Sequence, residues 1–251
     1  MAKSQAKGQR PPVGARRPPQ KQESGVARWA AEWAKSIVVA VLIFLVIRTL
    51  LVQTFTITSG SMIPTLLVDD WLMISKLTYG PKLPFSDRHL PGMRGPERGD
   101  VVVFRPPHEP DLDVVKRIVG MGGDTLAMKG GQLYRNGKPA REPFVIHSDP
   151  GHDATHPWMV WQKRFLAPGV NPATYEPTRD NWGPIVVPPG RLFLMGDNRD
   201  DSLDSRFWGF LDPKKLEGNV LFIYYSFDPD SPRPLPALAA IRWSRIGKVI
   251  H

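Results

Sequence analysis

Val114-Val115-Lys116-Arg117-Ile118-Val119 is a run of β-branched residues interrupted by two cations. Branched side chains fit a pleated, half-buried surface, so the run predicts a strand. Successive residues of a strand point to opposite faces, which puts Val114, Lys116 and Ile118 on one side. An ammonium is thereby set among aliphatic side chains. Burial there disfavours the charged form and lowers the lysine pKa from about 10.4 towards neutrality, where an amine can serve as a general base. The same pattern also describes an amphipathic strand whose lysine snorkels to water, and the six residues alone do not separate the two.

Similar short runs recur on either side: Trp71–Ser75, Val101–Phe104, Arg191–Met195 and Val220–Tyr225. No segment after residue 55 keeps a 3.6-residue period over three turns. Asn136-Gly137, preceded by Leu133 and Tyr134, is a two-residue hairpin turn. Pro188-Pro189-Gly190 punctuates the start of the Arg191 run. With 27 prolines in 251 residues, about twice the average share, strands are short and loops long. There is no internal repeat and no alternation of strands with helices, so an all-β, antiparallel domain is expected rather than a parallel sheet. Residues 137–189 are proline-dense and of mixed polarity, and predict no clear element.

The net charge of +9 is unevenly placed. Lys3, Lys7, Arg10, Arg16, Arg17, Lys21, Arg28 and Lys35, against Glu23 and Glu32, put most of it into the first 35 residues. That leader is rich in Pro, Gln, Lys and Arg and poor in large apolar side chains, which reads as a disordered segment rather than a nucleic-acid-binding face. Ile37–Ile47 then reads IVVAVLIFLVI. With Trp29 and Trp33 one turn apart in front and Arg48 able to snorkel behind, an uncleaved anchor over 36–53 is expected. No A-x-A-like site follows Val52, which argues against a cleaved leader. Cationic flanks stay in the cytoplasm, so the N-terminus is expected inside and residues from 54 outside.

The absence of cysteine excludes a disulfide scaffold, a thiol nucleophile, Fe–S clusters and thiolate zinc sites. His147, Asp149, His152, Asp153 and His156 could be pictured as metal ligands, but their spacing follows no regular element, so a polar loop and no metal are expected. Gly120-Met121-Gly122-Gly123 lacks both the P-loop lysine and the full dinucleotide fingerprint, and reads as turn glycines. Ser59-Gly60-Ser61-Met62-Ile63-Pro64 is a tight turn that can expose a hydroxyl and a backbone N–H. Gly196-Asp197-Asn198-Arg199-Asp200-Asp201-Ser202-Leu203-Asp204-Ser205-Arg206 follows an apolar strand. In it Asp204 and Arg206 can pair, and Ser202 can donate to an amine. An ordinary turn and a solvated loop are the plainer readings of these two stretches.

SGSMIPTL at 59–66, RGDVVVF at 98–104, DVVKRIVGMGGD at 113–124, MGDNRDDSLDSRFWG at 195–209 and the closing SRIGKVIH stand in the order and approximate spacing of the bacterial type I signal peptidases, which the chain resembles. The resemblance covers about 55–124 and 186–227 with the C-terminus, and leaves out 1–36 and 125–185. It implies a membrane-anchored serine endopeptidase that removes signal peptides from exported preproteins, with no cofactor. The fold it implies is all-β, of coiled antiparallel sheets preceded by one transmembrane helix. The expected division is a cytoplasmic leader 1–35, an anchor 36–53 and a catalytic domain 54–251, on the outer face of the plasma membrane, with 125–185 a variable insertion. By motif position, Ser61 corresponds to the nucleophile and Lys116 to the general base. Ser59 and the backbone N–H of Ser61 correspond to the oxyanion hole, and Ser202 to the serine that orients the lysine. Asp204 and Arg206, with Arg117, correspond to the supporting groups. The implied partners are signal peptides with small residues before the cut and membrane lipid, with no nucleic acid. Gly122 stands where proline is usual, and Asp201 where asparagine is frequent; both put only local loop geometry in doubt.

Overall fold

The computed structural model describes residues 25–83, 88 and 90–250. The chain divides into two units, Met1–Phe44 and Leu45–His251. In the first, α1 (Gly25–Val46) is helical. Residues 1–24 of the expected disordered leader lie outside the described residues. Its last part, 25–35, is instead the first three turns of α1. Ala27, Ala30, Ala31 and Ala34, with Glu32 and Lys35, are strong helix formers, which explains the difference. Large apolar side chains from Ile37 to Val46 are exposed, and the Trp29 and Trp33 rings lie 5.9 Å apart. Among the described residues no helix is long and apolar enough to cross a membrane. The segment expected as one anchor, 36–53, is not one helix. The α-helix stops at Val46, a π-helical turn (Ile47–Leu51) follows, and Val52 and Gln53 already belong to β1 (Val52–Thr56). Thr54, Phe55 and Thr56 favour extended backbone, and the ladder with the next strand claims the chain from Val52 onward.

The second unit is built on strands. After β1 come β2 (Asp70–Ser75), β3 (Val101–Phe104), β4 (Val114–Met121), β5 (Thr125–Lys129), β6 (Gln132–Arg135), β7 (Lys138–Pro139), β8 (Trp182–Val186) and β9 (Leu192–Met195). The short helix α2 (Ser205–Trp208) and the long strand β10 (Leu216–Ser226) complete the framework. Every strand pairing is antiparallel. One sheet has six strands in the order β1-β2-β10-β3-β4-β9, and the other has four, β7-β6-β5-β8. The second sheet lies wholly within 125–186, so the stretch expected as a variable insertion contains a sheet of its own. Its β6–β7 turn is the anticipated Asn136-Gly137 pair, both at positive φ, 52° and 77°.

Val101, Val102, Val103 and Phe104 of β3 are all buried because the six-stranded sheet is covered on both faces. Val101 and Val103 join Leu72, Ile74, Val115 and Ile223 on one side. Val102 and Phe104 join Ile118, Leu192, Leu194 and Leu211 on the other. Each fully buried side chain of this kind contributes about 1.5–3 kcal/mol of transfer free energy. β4 lies between β3 and β9, and is buried from Val115 to Gly120.

Candidate active site

Lys116 is presented by β4 opposite Val102 of β3, between Val114 and Ile118 on the apolar face, and is only 3% exposed. Its Nζ donates to Ser61 Oγ at 2.6 Å. Ser61 sits on a single 3-10 turn (Gly60–Met62) entered from Ser59 in an extended conformation. Met62 and Leu66, both buried in the core, pin the turn from below. Ser59 Oγ lies 3.4 Å from Ser61 Oγ, so the two serines and the lysine form one cluster.

Burial lowers the Lys116 pKa from 10.5 to about 8. Asp204, and more weakly Asp201 and Asp197, pull it back up, while Arg206 acts in the same direction as burial. Asp204 is taken up by Arg206: Nε reaches Oδ1 at 2.9 Å and Nη2 reaches Oδ2 at 2.8 Å, with both side chains fully buried. The Gly196 N–H also donates to Asp204 Oδ2, at 3.1 Å. Burial would raise the Asp204 carboxyl, yet the adjoining guanidinium holds it below the usual carboxylate range. Arg206 donates further to the Arg199 carbonyl at 2.6 Å, closing the 196–206 loop on itself.

The other supporting residues fall differently. Ser202 is buried beside the site, but no hydrogen bond joins it to Lys116, so the expected orienting contact is not formed; its hydroxyl faces Asp204 and helps to lower that carboxyl. A methyl group at Gly196 would lie 2.4 Å from Ser202 Oγ and 2.5 Å from the Ser61 carbonyl, so only glycine lets the two segments close. Arg117 does not reach Ser61. It grips Asp197 with two bonds of 2.9 and 2.7 Å, donates to the Gly99 carbonyl at 2.8 Å and lies 3.8 Å over the Phe144 ring. Thr65 Oγ1 donates to the same Asp197 at 2.5 Å, which ties β4, the segment after the serine turn and the loop after β9 together.

Both departures from the resembled pattern are local. The Asp201 carboxylate lies over the serine turn, 3.1 Å from where a Gly60 Cβ would stand. Gly122 packs against the 188–190 backbone, where a Cβ would be 2.9 Å from Pro188 O and Gly190 N. The five candidate ligands of 147–156 do not converge on one point. His147 meets Asp200 at 3.0 Å, His152 meets Asp149 at 2.8 Å, His156 accepts from Trp158 N, and Asp153 holds Thr178 and Asn181. His147, Asp180 and Asp200 do come together, with Arg179 donating to Asp180 at 2.8 Å and lying 3.5 Å from Asp200.

Within the polar loop 196–206 nothing in the sequence singles out Asn198. Its N–H donates to Ser61 O at 3.1 Å and its Nδ2 to Gly60 O at 3.3 Å. Glu142, which pairs with buried Arg199 at 2.7 Å, and Phe144 arrive from 125–185, where the sequence offered no periodicity to locate them. Beside Ser61 a cavity of about 130 Å³ is lined by Phe55, Ile57, Ser59, Met62, Leu112 and Val115. It is far smaller than the roughly 300–1,000 Å³ of a drug-sized pocket, and suits one or two small side chains. β9 pairs with β4 only from Arg117 onward, so on that side Val114–Lys116 has no strand partner among the described residues. A buried amine of lowered pKa in contact with a hydroxyl can accept its proton and release an alkoxide for attack on a carbonyl.

The chain is similar to known proteins over most of its length. Residues 30–225 match the family model described as signal peptidase, peptidase S26. The signal peptidase I of Pseudomonas aeruginosa is 35% identical over 237 residues, covering 88% of this chain and 79% of that protein. That of Aquifex aeolicus is 32% identical, with 83% and 94% covered. Signal peptidase I S of Bacillus subtilis is 33% identical, with 78% and 90% covered.

Proposed function

Because the chain belongs to the signal peptidase, peptidase S26 family, and is thus a serine endopeptidase acting in signal-peptide removal, we propose that Ser61 and Lys116 form its catalytic dyad. The observation that carries this reading is the 2.6 Å contact between Lys116 Nζ and Ser61 Oγ at a buried lysine of lowered pKa. Neutral Lys116 takes the Ser61 proton as Oγ attacks the scissile carbonyl. The acyl-enzyme that forms on loss of the leaving amine is then hydrolysed by water. Ser59 Oγ and the Ser61 N–H receive the oxyanion, each such donor contributing about 3–4 kcal/mol to the transition state. Asp204, Arg206 and Arg117 hold the surroundings, and Ser202 reaches the lysine once the site tightens around substrate.

The substrate lies extended along the unpaired side of Val114–Lys116, adding its backbone to the sheet. Its small side chains before the cut enter the cavity beside Ser61. The apolar, exposed stretch Ile37–Val46, behind a basic leader, associates with the membrane, the N-terminus facing the cytoplasm and 54–251 the outside. Trp71, Phe207 and Trp208 are the aromatic candidates for lipid contact near the site; Trp71 is 38% exposed and the other two are half-buried. Incubation of the detergent-solubilised chain with a preprotein, with the cut mapped by mass spectrometry, tests the proposal. Cleavage directly after an A-x-A-like sequence supports it, and cleavage elsewhere or none contradicts it.

A further inference from the structure

We propose that Asn198 is a positioning residue for the oxyanion donor of Ser61, and that Ser148 anchors its amide from the far side. The inference rests on the reading of Ser61 as nucleophile. The turn Gly60–Met62 is one 3-10 turn closed by a bond from Ile63 N to Gly60 O at 3.1 Å, a weak constraint on its own. Asn198, only 4% exposed, reaches across from the loop after β9 and holds two successive carbonyls of it, Gly60 O through Nδ2 and Ser61 O through its main-chain N–H. The Gly60 carbonyl and the Ser61 N–H belong to one planar peptide unit. Fixing the carbonyl therefore fixes the direction of the N–H on the opposite side, which is the direction an oxyanion has to occupy.

An asparagine amide can be turned over, which would set Oδ1 against the Gly60 carbonyl. The Gly60 carbonyl only accepts and so selects the NH₂ end, and Ser148 Oγ anchors the other end by donating to Asn198 Oδ1 at 2.8 Å. Ser148 belongs to the long segment between β7 and β8, and that segment is itself fastened to the loop. Ile146 N donates to Asp197 O and Arg199 N to Ile146 O, both at 3.0 Å, with the buried Glu142–Arg199 pair beside them. The 125–185 region thus contributes to the reaction geometry through one hydroxyl, without touching substrate.

The test is steady-state cleavage of a preprotein by the full chain in detergent, with thermal denaturation of each variant in parallel. Asn198→Ala is expected to lower kcat by about 10- to 100-fold with KM changed less than about threefold, since an oxyanion donor acts in the transition state. Ser148→Ala is expected to lower kcat severalfold, Ser148→Thr to restore it, and the double variant to fall no lower than Asn198→Ala alone. Wild-type kcat in both Asn198→Ala and Ser148→Ala overturns the proposal, as does a loss that appears only in KM or only in the melting temperature. Ser61→Ala in the same assay separates the two readings. If it still cleaves, the nucleophile assignment falls; if it is inactive while Asn198→Ala is fully active, the positioning role alone falls.

Discussion

At Lys116 folding places a cationic group where the charged form is disfavoured, and that has a thermodynamic consequence as well as a chemical one. Its folded-state pKa of about 8 lies below the ordinary 10.5, so between those values the folded chain binds fewer protons than the unfolded chain. Stability therefore rises with pH across that window. The penalty is fully present below pH 8, where it amounts to about 3 kcal/mol at about 1.4 kcal/mol per unit. Lys116→Met, of similar volume, is expected to abolish cleavage yet melt several degrees higher at pH 7, the advantage vanishing above pH 10.5; thermal denaturation at both pH values checks this. Ser61→Ala and Lys116→Ala are expected to remove activity, while His152→Ala, an exposed partner of Asp149, leaves kcat/KM unchanged. Arg206→Ala removes the guanidinium that depresses Lys116 and frees the Asp204 charge that raises it. The acidic limb of its pH profile should shift to higher pH, and stability should fall by about 3–5 kcal/mol because Asp204 is left buried and unpaired. A profile of unchanged shape would contradict the electrostatic part. The face that carries Lys116 was legible from one strand's alternation, though not its burial; Asn198 was not, because it is held by Gly60 and Ser61 more than a hundred positions away and by Ser148 fifty away.

Among the elements, the strands that alternate or run apolar were readable, and β2, β3, β4, β9 and β10 fall where the sequence places them. Two kinds were hidden. β1 adjoins an apolar helix, and Val52 continues the apolar pattern, so periodicity alone extends the helix past its end. β5 reads TLAMK, mostly residues that favour helix, and Gly183-Pro184 inside β8 breaks any strand pattern. The position of β1 decides where the chain can be shortened. β1 pairs with β2 from Val52 to Thr56 and Leu51 O accepts Lys76 N at 3.0 Å, so a chain beginning at Leu50 keeps the edge of the sheet. It should fold with nearly the full melting temperature and still float with lipid vesicles. A chain beginning at Ile57 loses the ladder beside the serine turn, and is expected to melt much lower and to cleave poorly. Equal melting temperatures and activities for the two would contradict a role for β1 in holding Ser61.

Across the whole catalytic unit, the site is assembled from four segments distant in sequence: the turn after β1, the middle of β4, the loop after β9, and 142–149 from the region of the second sheet. The C-terminal motif closes the first sheet from outside, with Arg245 on buried Asp70, Val249 bridged to Phe222 and Ile250 in the core. Net charge contributes little to this assembly, because most of the +9 lies in the leader, whereas the paired charges Asp204–Arg206, Arg117–Asp197 and Glu142–Arg199 lie buried within it. What the packing accomplishes is to desolvate one amine within reach of one hydroxyl and to keep Asp204 occupied elsewhere. The measurement that tests this most directly is the pH dependence of kcat/KM for cleavage of a preprotein by the unmodified chain. A base of lowered pKa at Lys116 requires kcat/KM to rise through an apparent pKa near 8. A rise through about 6.5, the ordinary value of a histidine, or no dependence between about pH 6 and 9, would contradict it.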